Sequence, residues 1–263
     1  MQNNGRVTPI CTDLLAEHDD LDSLVAPLSE EQWGAATPAL GWAIRDQISH
    51  LWFFDRRATL ALTDPDAFAD DLQWLLANGG TDASVIGGRA MSGEELLGAW
   101  RVDRARLLEV ARDVDPATRV PWYGPAMGAR SFITARLMET WAHGQDVADT
   151  LKVQRTPTDR LKHVAHIGVR ARPFSYAING MPMPDAPVHV VLRGPGGDRW
   201  EWGEPAESSV HGDALDFCLV VTQRRHVADA SLRVEGPAAV EWISIAQAFA
   251  GEPGSGRTPG QFG

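Results

Sequence analysis

The chain is short of cysteine, of lysine and of long apolar runs, and each shortage closes off a class of protein. Its 263 residues contain two cysteines, Cys11 and Cys218. They lie far apart inside apolar stretches, which excludes a disulfide scaffold and reads as two buried free thiols. Lys152 and Lys162 are the only lysines, and 24 basic against 35 acidic side chains leave a formal charge of −11. A nucleic-acid groove needs clustered basic residues, so no nucleic-acid partner is expected. No apolar run reaches the roughly 18–20 residues of a membrane span, and no membrane association is expected. Residues 1–8 are polar and lack the apolar segment of a secretion signal, so a cytoplasmic location is expected. What is present is an ordinary core-forming balance, 44% hydrophobic and 22% charged, which excludes disorder over the whole chain.

Periodicity places helices first. Leu14, Leu15, Leu21, Leu24, Val25 and Leu28 recur near a 3.6 spacing with acids between them, predicting a helix over 12–28. Ile44, Ile48, Leu51, Trp52 and Ala58 do the same over 43–62, stopped by Asp64-Pro65. Residues 66–90 are weakly patterned and read as a short helix with a loop, or a lid. Ser92 with Glu95 is a capping-box signature opening a third long helix that Asp115-Pro116 ends. A fourth spans about 129–151. Four amphipathic helices separated by breakers predict a four-helix bundle over residues 8–155. After Pro182, Pro184 and Pro187 the pattern alternates instead. Strands around 188–192 and 199–202 with a Gly-rich turn, helices over 213–221 and 238–249, and a strand at 231–234 predict a smaller α+β domain over 156–250. The overall fold class is α+β, and residues 251–263 read as a flexible tail.

The fourth helix carries Glu139 and His143. Four residues apart, they share one helix face and can converge on one point. They sit among Leu137, Met138, Trp141 and Val147, where a carboxylate is costly unless paired or metal-bound. The second helix adds His50, beside Ile48 and Leu51. Singly, each has an ordinary reading: Glu139 and His143 as a plain helix pair, His50 as a packed core histidine. Together, two histidines and one carboxylate make a three-ligand site with one position open, as catalytic zinc uses. Ni²⁺ and Fe²⁺ suit the same donors. Asp46 and Asp146 stand three or four residues from the histidines, where carboxylates could orient the imidazoles. His163 and His166 could hold a second metal, but no third donor stands near them in sequence. Arg130 and Arg136 read either as attractors of an anion or as salt-bridge partners.

These residues also carry a family resemblance. The runs Thr37-Pro38-Ala39-Leu40-Gly41-Trp42 and Asp46-Gln47-Ile48-Ser49-His50-Leu51, with Ala135-Arg136-Leu137-Met138-Glu139-Thr140-Trp141-Ala142-His143-Gly144-Gln145-Asp146, resemble the second- and fourth-helix motifs of the mycothiol-dependent maleylpyruvate isomerase family. That family belongs to the DinB-like metal-binding bundles, and the chain looks closer to an uncharacterised metal-binding branch than to the isomerase itself. The resemblance covers about residues 8–152 and extends more loosely over a sterol-carrier-like C-terminal module. It implies that His50, Glu139 and His143 bind one divalent metal. It also implies that Arg224, with Arg225 as the fallback, stands where the isomerase has a functional arginine. An arginine there can clamp a carboxylate bidentately. The isomerase has a glycine before that arginine, where this chain has Gln223.

A metal with an open position can deprotonate a bound thiol, whose thiolate attacks an electrophile. The expected function is therefore a transferase or isomerase, dependent on a divalent metal and a mycothiol-like low-molecular-weight thiol, acting on a small electrophilic molecule. Two rivals stay open: a non-catalytic metal- or ligand-binding protein, and a metal-dependent hydrolase. The expected partners are a small-molecule substrate and the thiol, with the chain a monomer or homodimer.

Overall fold

The computed structural model describes residues 7–77, 80–124, 126–254 and 256–262, the side chain of Leu76 apart. The polar N-terminus read for a leader lies outside the described residues up to position 6, as do Pro125, Ser255 and Gly263 in the loop and tail considered above. The chain divides into two compact units, residues 1–155 and 156–263.

The first unit contains α1 (Thr8–Val25), α2 (Glu30–Trp33), α3 (Ile44–Thr63), α4 (Pro65–Ala77), α5 (Ala83–Arg89), α6 (Gly93–Asp113) and α7 (Ala129–Leu151). The strand pair β1 (Arg119–Val120) and β2 (Met127–Gly128) precedes α7. The four long helices pack in a ring, α1 on α6 and α7, and α3 on both of those. Their apolar stripes supply the core: Leu21, Val25, Ile44, Ile48, Leu51, Leu96, Trp100 and Val147. Ser92 and Glu95 form the reciprocal cap, with Glu95 N–H donating to Ser92 Oγ at 3.2 Å and Ser92 N–H to Glu95 Oε2 at 2.8 Å. The weakly patterned stretch contains α4, a 3₁₀ turn at Gly80–Asp82 and α5. Helix α5 lies so close on α3 that a Cβ on Gly88 would stand 2.4 Å from Ser49 Cβ. Ser49 Oγ donates to Ser84 O at 2.7 Å and accepts from Gly88 N–H at 3.1 Å, fastening the two helices together.

A charged cluster crosses this core. Asp55, on α3, accepts from Arg136 Nε and a terminal nitrogen at 3.1 and 2.8 Å and from Trp100 Nε1 at 2.9 Å. Arg136 is thus a buried salt-bridge partner, the second of the two readings its sequence allowed. His18 lies fully buried on α1, 3.9 Å from Asp55. Burial lowers its pKa from 6.5 to about 4, with the Asp55 charge pulling the other way. The unfolded chain therefore binds a proton near pH 6.5 that the folded chain refuses until about pH 4. Stability from this group is complete above pH 6.5 and is lost as pH falls through that window. Between pH 7 and 5 the loss is about 2 kcal/mol. In urea titrations the loss of stability from pH 7 to pH 5 should be larger in the wild type than in His18→Gln by about that amount; equal losses would contradict it.

The second unit contains α8 (Leu161–Arg170), α9 (Arg172–Ile178), β3 (Val188–Arg193), β4 (Arg199–Trp202), β5 (Ser208–Asp213), α10 (Ala214–Val221), β6 (Arg233–Glu235) and α11 (Pro237–Ser244). The sheet order is β4-β3-β5-β6. The β3–β4 hairpin turns through the Gly-rich segment as expected, and β5 pairs parallel to β3. No strand was expected at β5, where Ser208-Ser209 and His211-Gly212-Asp213 hide the alternation. Val190, Leu192, Trp200 and Val210 are buried. In the tail, Gly260 N–H donates to Asp229 Oδ1 at 2.7 Å and the Arg225 guanidinium lies 3.9 Å over the Phe262 ring.

Candidate metal centre

His50 stands in the second turn of α3, and Glu139 and His143 on the inner face of α7. One ligand atom from each falls within 4.8 Å of the others. Among the described residues this is the one group of three or more histidine, cysteine and acidic side chains placed to hold a metal ion. His143 Nε2 and Glu139 Oε2 are 3.3 Å apart. That separation matches a tetrahedron edge for ligand distances of about 2.0–2.1 Å. The rings of His50 and His143 stand 4.5 Å apart.

Each imidazole is held at Nδ1. His50 Nδ1 lies 3.0 Å from Ser84 Oγ, and His143 Nδ1 lies 2.5 Å from Gln47 Oε1. These two contacts come from Ser84 and Gln47. Asp46 is occupied elsewhere: its Oδ2 accepts from Ala43 N–H at 2.9 Å, capping α3, and its Oδ1 accepts from Arg89 Nε at 2.8 Å. The i−3 spacing of Gln47 from His50 was a usable signal, whereas nothing in the pattern around Ser84 pointed to the site.

Aromatic rings close the flanks. Trp42 lies 5.2 Å from the His50 ring and stacks on His143 at 6.0 Å and 14°. Phe54 sits 4.6 Å from His50 and is followed outward by Tyr123 at 5.4 Å and Trp122 at 6.2 Å. Two neutral-capable nitrogens on buried rings and one half-buried carboxylate fit a divalent cation of borderline hardness.

Arg224 and Arg225 lie in the second unit, just past α10. Arg224 donates to Thr222 O at 2.7 Å and stands 5.9 Å over the Phe249 ring. Gln223 adopts φ +59°, the left-handed conformation that glycine enters without penalty. Gln223 takes this bend where the resembled pattern has a glycine. His166 Nδ1 accepts from Trp202 Nε1 at 3.2 Å, and no third donor joins it and His163 among the described residues. Both cysteines are buried. Burial raises the Cys11 thiol to about 11 and pushes Cys218 well up. No helix among the described residues is long and apolar enough to cross a membrane.

The family model described as mycothiol maleylpyruvate isomerase N-terminal domain matches residues 14–148. Two uncharacterized proteins of Mycobacterium tuberculosis, from strains CDC 1551 / Oshkosh and ATCC 25618 / H37Rv, are each 48% identical over 252 residues, covering 95% of this chain and 98% of their own. The crystal structure of the mycothiol-dependent maleylpyruvate isomerase superposes with a TM-score of 0.58 at 15% identity, over 89% of this chain and 95% of that one. A histidine-to-alanine mutant of that enzyme gives the same score at 14% identity. At such identity the likeness is one of fold.

Proposed function

The chain belongs to the mycothiol maleylpyruvate isomerase N-terminal domain family, and from that premise we propose that it is a transferase or isomerase dependent on a divalent metal and a low-molecular-weight thiol such as mycothiol, acting on a small electrophile. The observation that carries this reading is the convergence of His50, Glu139 and His143. These three side chains would hold the metal, Zn²⁺ first and Ni²⁺ or Fe²⁺ next by their donor chemistry. When bound, such a metal supplies a Lewis-acidic position that lowers the pKa of a thiol. Trp42 and Phe54 confine the two imidazoles and keep bulk water from them. The chain's own thiols are buried and hard to ionise, which supports a thiol supplied from outside. Arg224 is proposed to contact a substrate carboxylate, the role its resemblance implies.

Zinc-loaded protein should convert maleylpyruvate, or join mycothiol to an activated alkene, only with the thiol present. Arg224→Met should raise KM for a carboxylate-bearing substrate roughly 10–100-fold, the size of one charged hydrogen bond, with metal content unchanged. Turnover of activated esters without thiol would favour a hydrolase. One bound metal with no thiol dependence and no turnover would favour a binding protein.

A further inference from the structure

The hydrogen bonds behind the two histidines have a determined direction. Ser84 has one hydroxyl proton, and Ser84 Oγ lies 2.5 Å from Thr81 O, a contact that only a donated proton makes favourable. Its oxygen therefore accepts from His50 Nδ1–H across the 3.0 Å contact. Gln47 is fixed in the same manner. Thr37 Oγ1 donates to Trp42 O at 2.9 Å, so it can only accept from Gln47 Nε2 at 2.9 Å. That sets the amide the right way round and aims Gln47 Oε1 at His143, where it accepts from Nδ1–H. The proton on each ring thus sits on Nδ1 for reasons that start outside the site. One chain begins at the Trp42 carbonyl in the loop before α3. The other begins at the Thr81 carbonyl, and Ser49 holds its segment to α3.

We propose that Ser84 and Gln47 are positioning residues that lock His50 and His143 in the Nδ1–H tautomer, so that each Nε2 offers a lone pair to the centre, and that this lock sets the affinity for the metal. The affinity half rests on the metal reading above; the tautomer half does not. Hydrogen-bond partners of this kind fix ring orientation and raise ligand basicity, and their loss typically costs 10–100-fold in metal affinity.

Two measurements on one set of variants test this. Long-range ¹H–¹⁵N correlation spectra of the metal-free protein report which nitrogen of each imidazole carries its proton. The wild type should show a proton on Nδ1 at both rings, whether or not Nε2 also holds one against the Glu139 carboxylate. Ser84→Ala should release His50 toward Nε2–H and leave His143 as it was; Gln47→Leu should do the reverse. Ser84→Thr and Gln47→Glu keep an acceptor oxygen and should keep the proton on Nδ1, Thr37 Oγ1 turning its own proton from the Trp42 carbonyl to the new carboxylate in the second. Zn²⁺ competition against a chromogenic chelator should then show 10–100-fold weaker binding in Ser84→Ala and Gln47→Leu, with the two conservative variants near wild type. Urea midpoints of all four variants identify any that lose stability instead. Unchanged tautomers in Ser84→Ala and Gln47→Leu would overturn the lock, and changed tautomers with unchanged Zn²⁺ affinity would overturn its consequence. If His50→Ala binds Zn²⁺ like the wild type, the metal reading itself fails, while the spectra still decide the tautomers.

Discussion

Asp55→Ala is expected to lower the stability of the protein by about 3–5 kcal/mol, and its Tm by roughly 6–20 °C. The carboxylate is fully buried, and its partner Arg136 is 4% exposed. Deleting the acid leaves a guanidinium with no compensating charge in a region that water does not reach. It also leaves Trp100 Nε1, which donates to Asp55 at 2.9 Å, without its acceptor. The cost comes from stranding one partner, not from any large net worth of the pair. The double variant Asp55→Leu, Arg136→Met removes both charges together and should recover most of the loss. Urea unfolding of the wild type, the single variant and the double variant makes the comparison. A single variant within 1 kcal/mol of wild type, or a double variant no better than the single, would contradict this account.

His143→Ala is expected to abolish the stabilisation that the metal confers. A ligand held by the native state alone adds about 4 kcal/mol when present at a thousand times its dissociation constant. Zn²⁺ at that excess should therefore raise the wild-type Tm by roughly 8–16 °C. His143 contributes the Nε2 that stands 3.3 Å from the Glu139 carboxylate, and without it two donors on different helices remain. The variant should melt near the metal-free wild type and should not respond to added Zn²⁺. Differential scanning calorimetry with and without the metal checks this, and a full thermal response in His143→Ala would remove that residue from the site.

Much of the bundle was legible because its signals are local. The 3.6 spacing of Ile44, Ile48 and Leu51 and the Ser92/Glu95 cap depend on residues a few positions apart, and both appear in the structure. The i,i+4 pair Glu139/His143 belongs to the same class. The approach of His50 to that pair is set by how α3 packs on α7, which spacing does not report; the donor chemistry suggested the grouping and the resemblance implied it as well. What stayed illegible was long-range. Ser84 reaches His50 only because Gly88 lets α5 sit against Ser49, and no periodicity reports such an approach. Asp46 looked like an imidazole partner because it is four residues from His50, yet the free N–H of Ala43 and the Arg89 guanidinium claim it. Strand β5 escaped notice because its pairing with β3 buries Val210 among polar neighbours, so the sheet rather than the segment determines its state.

Metal content per chain tests the central claim most directly. Protein purified without chelator and analysed by inductively coupled plasma mass spectrometry should carry close to one equivalent of a single divalent metal. His50→Ala, Glu139→Gln and His143→Ala should each carry almost none, while His163→Ala should match the wild type. A full equivalent retained by any of those three ligand variants, or a wild type that takes up no divalent metal even when it is supplied, would contradict the account.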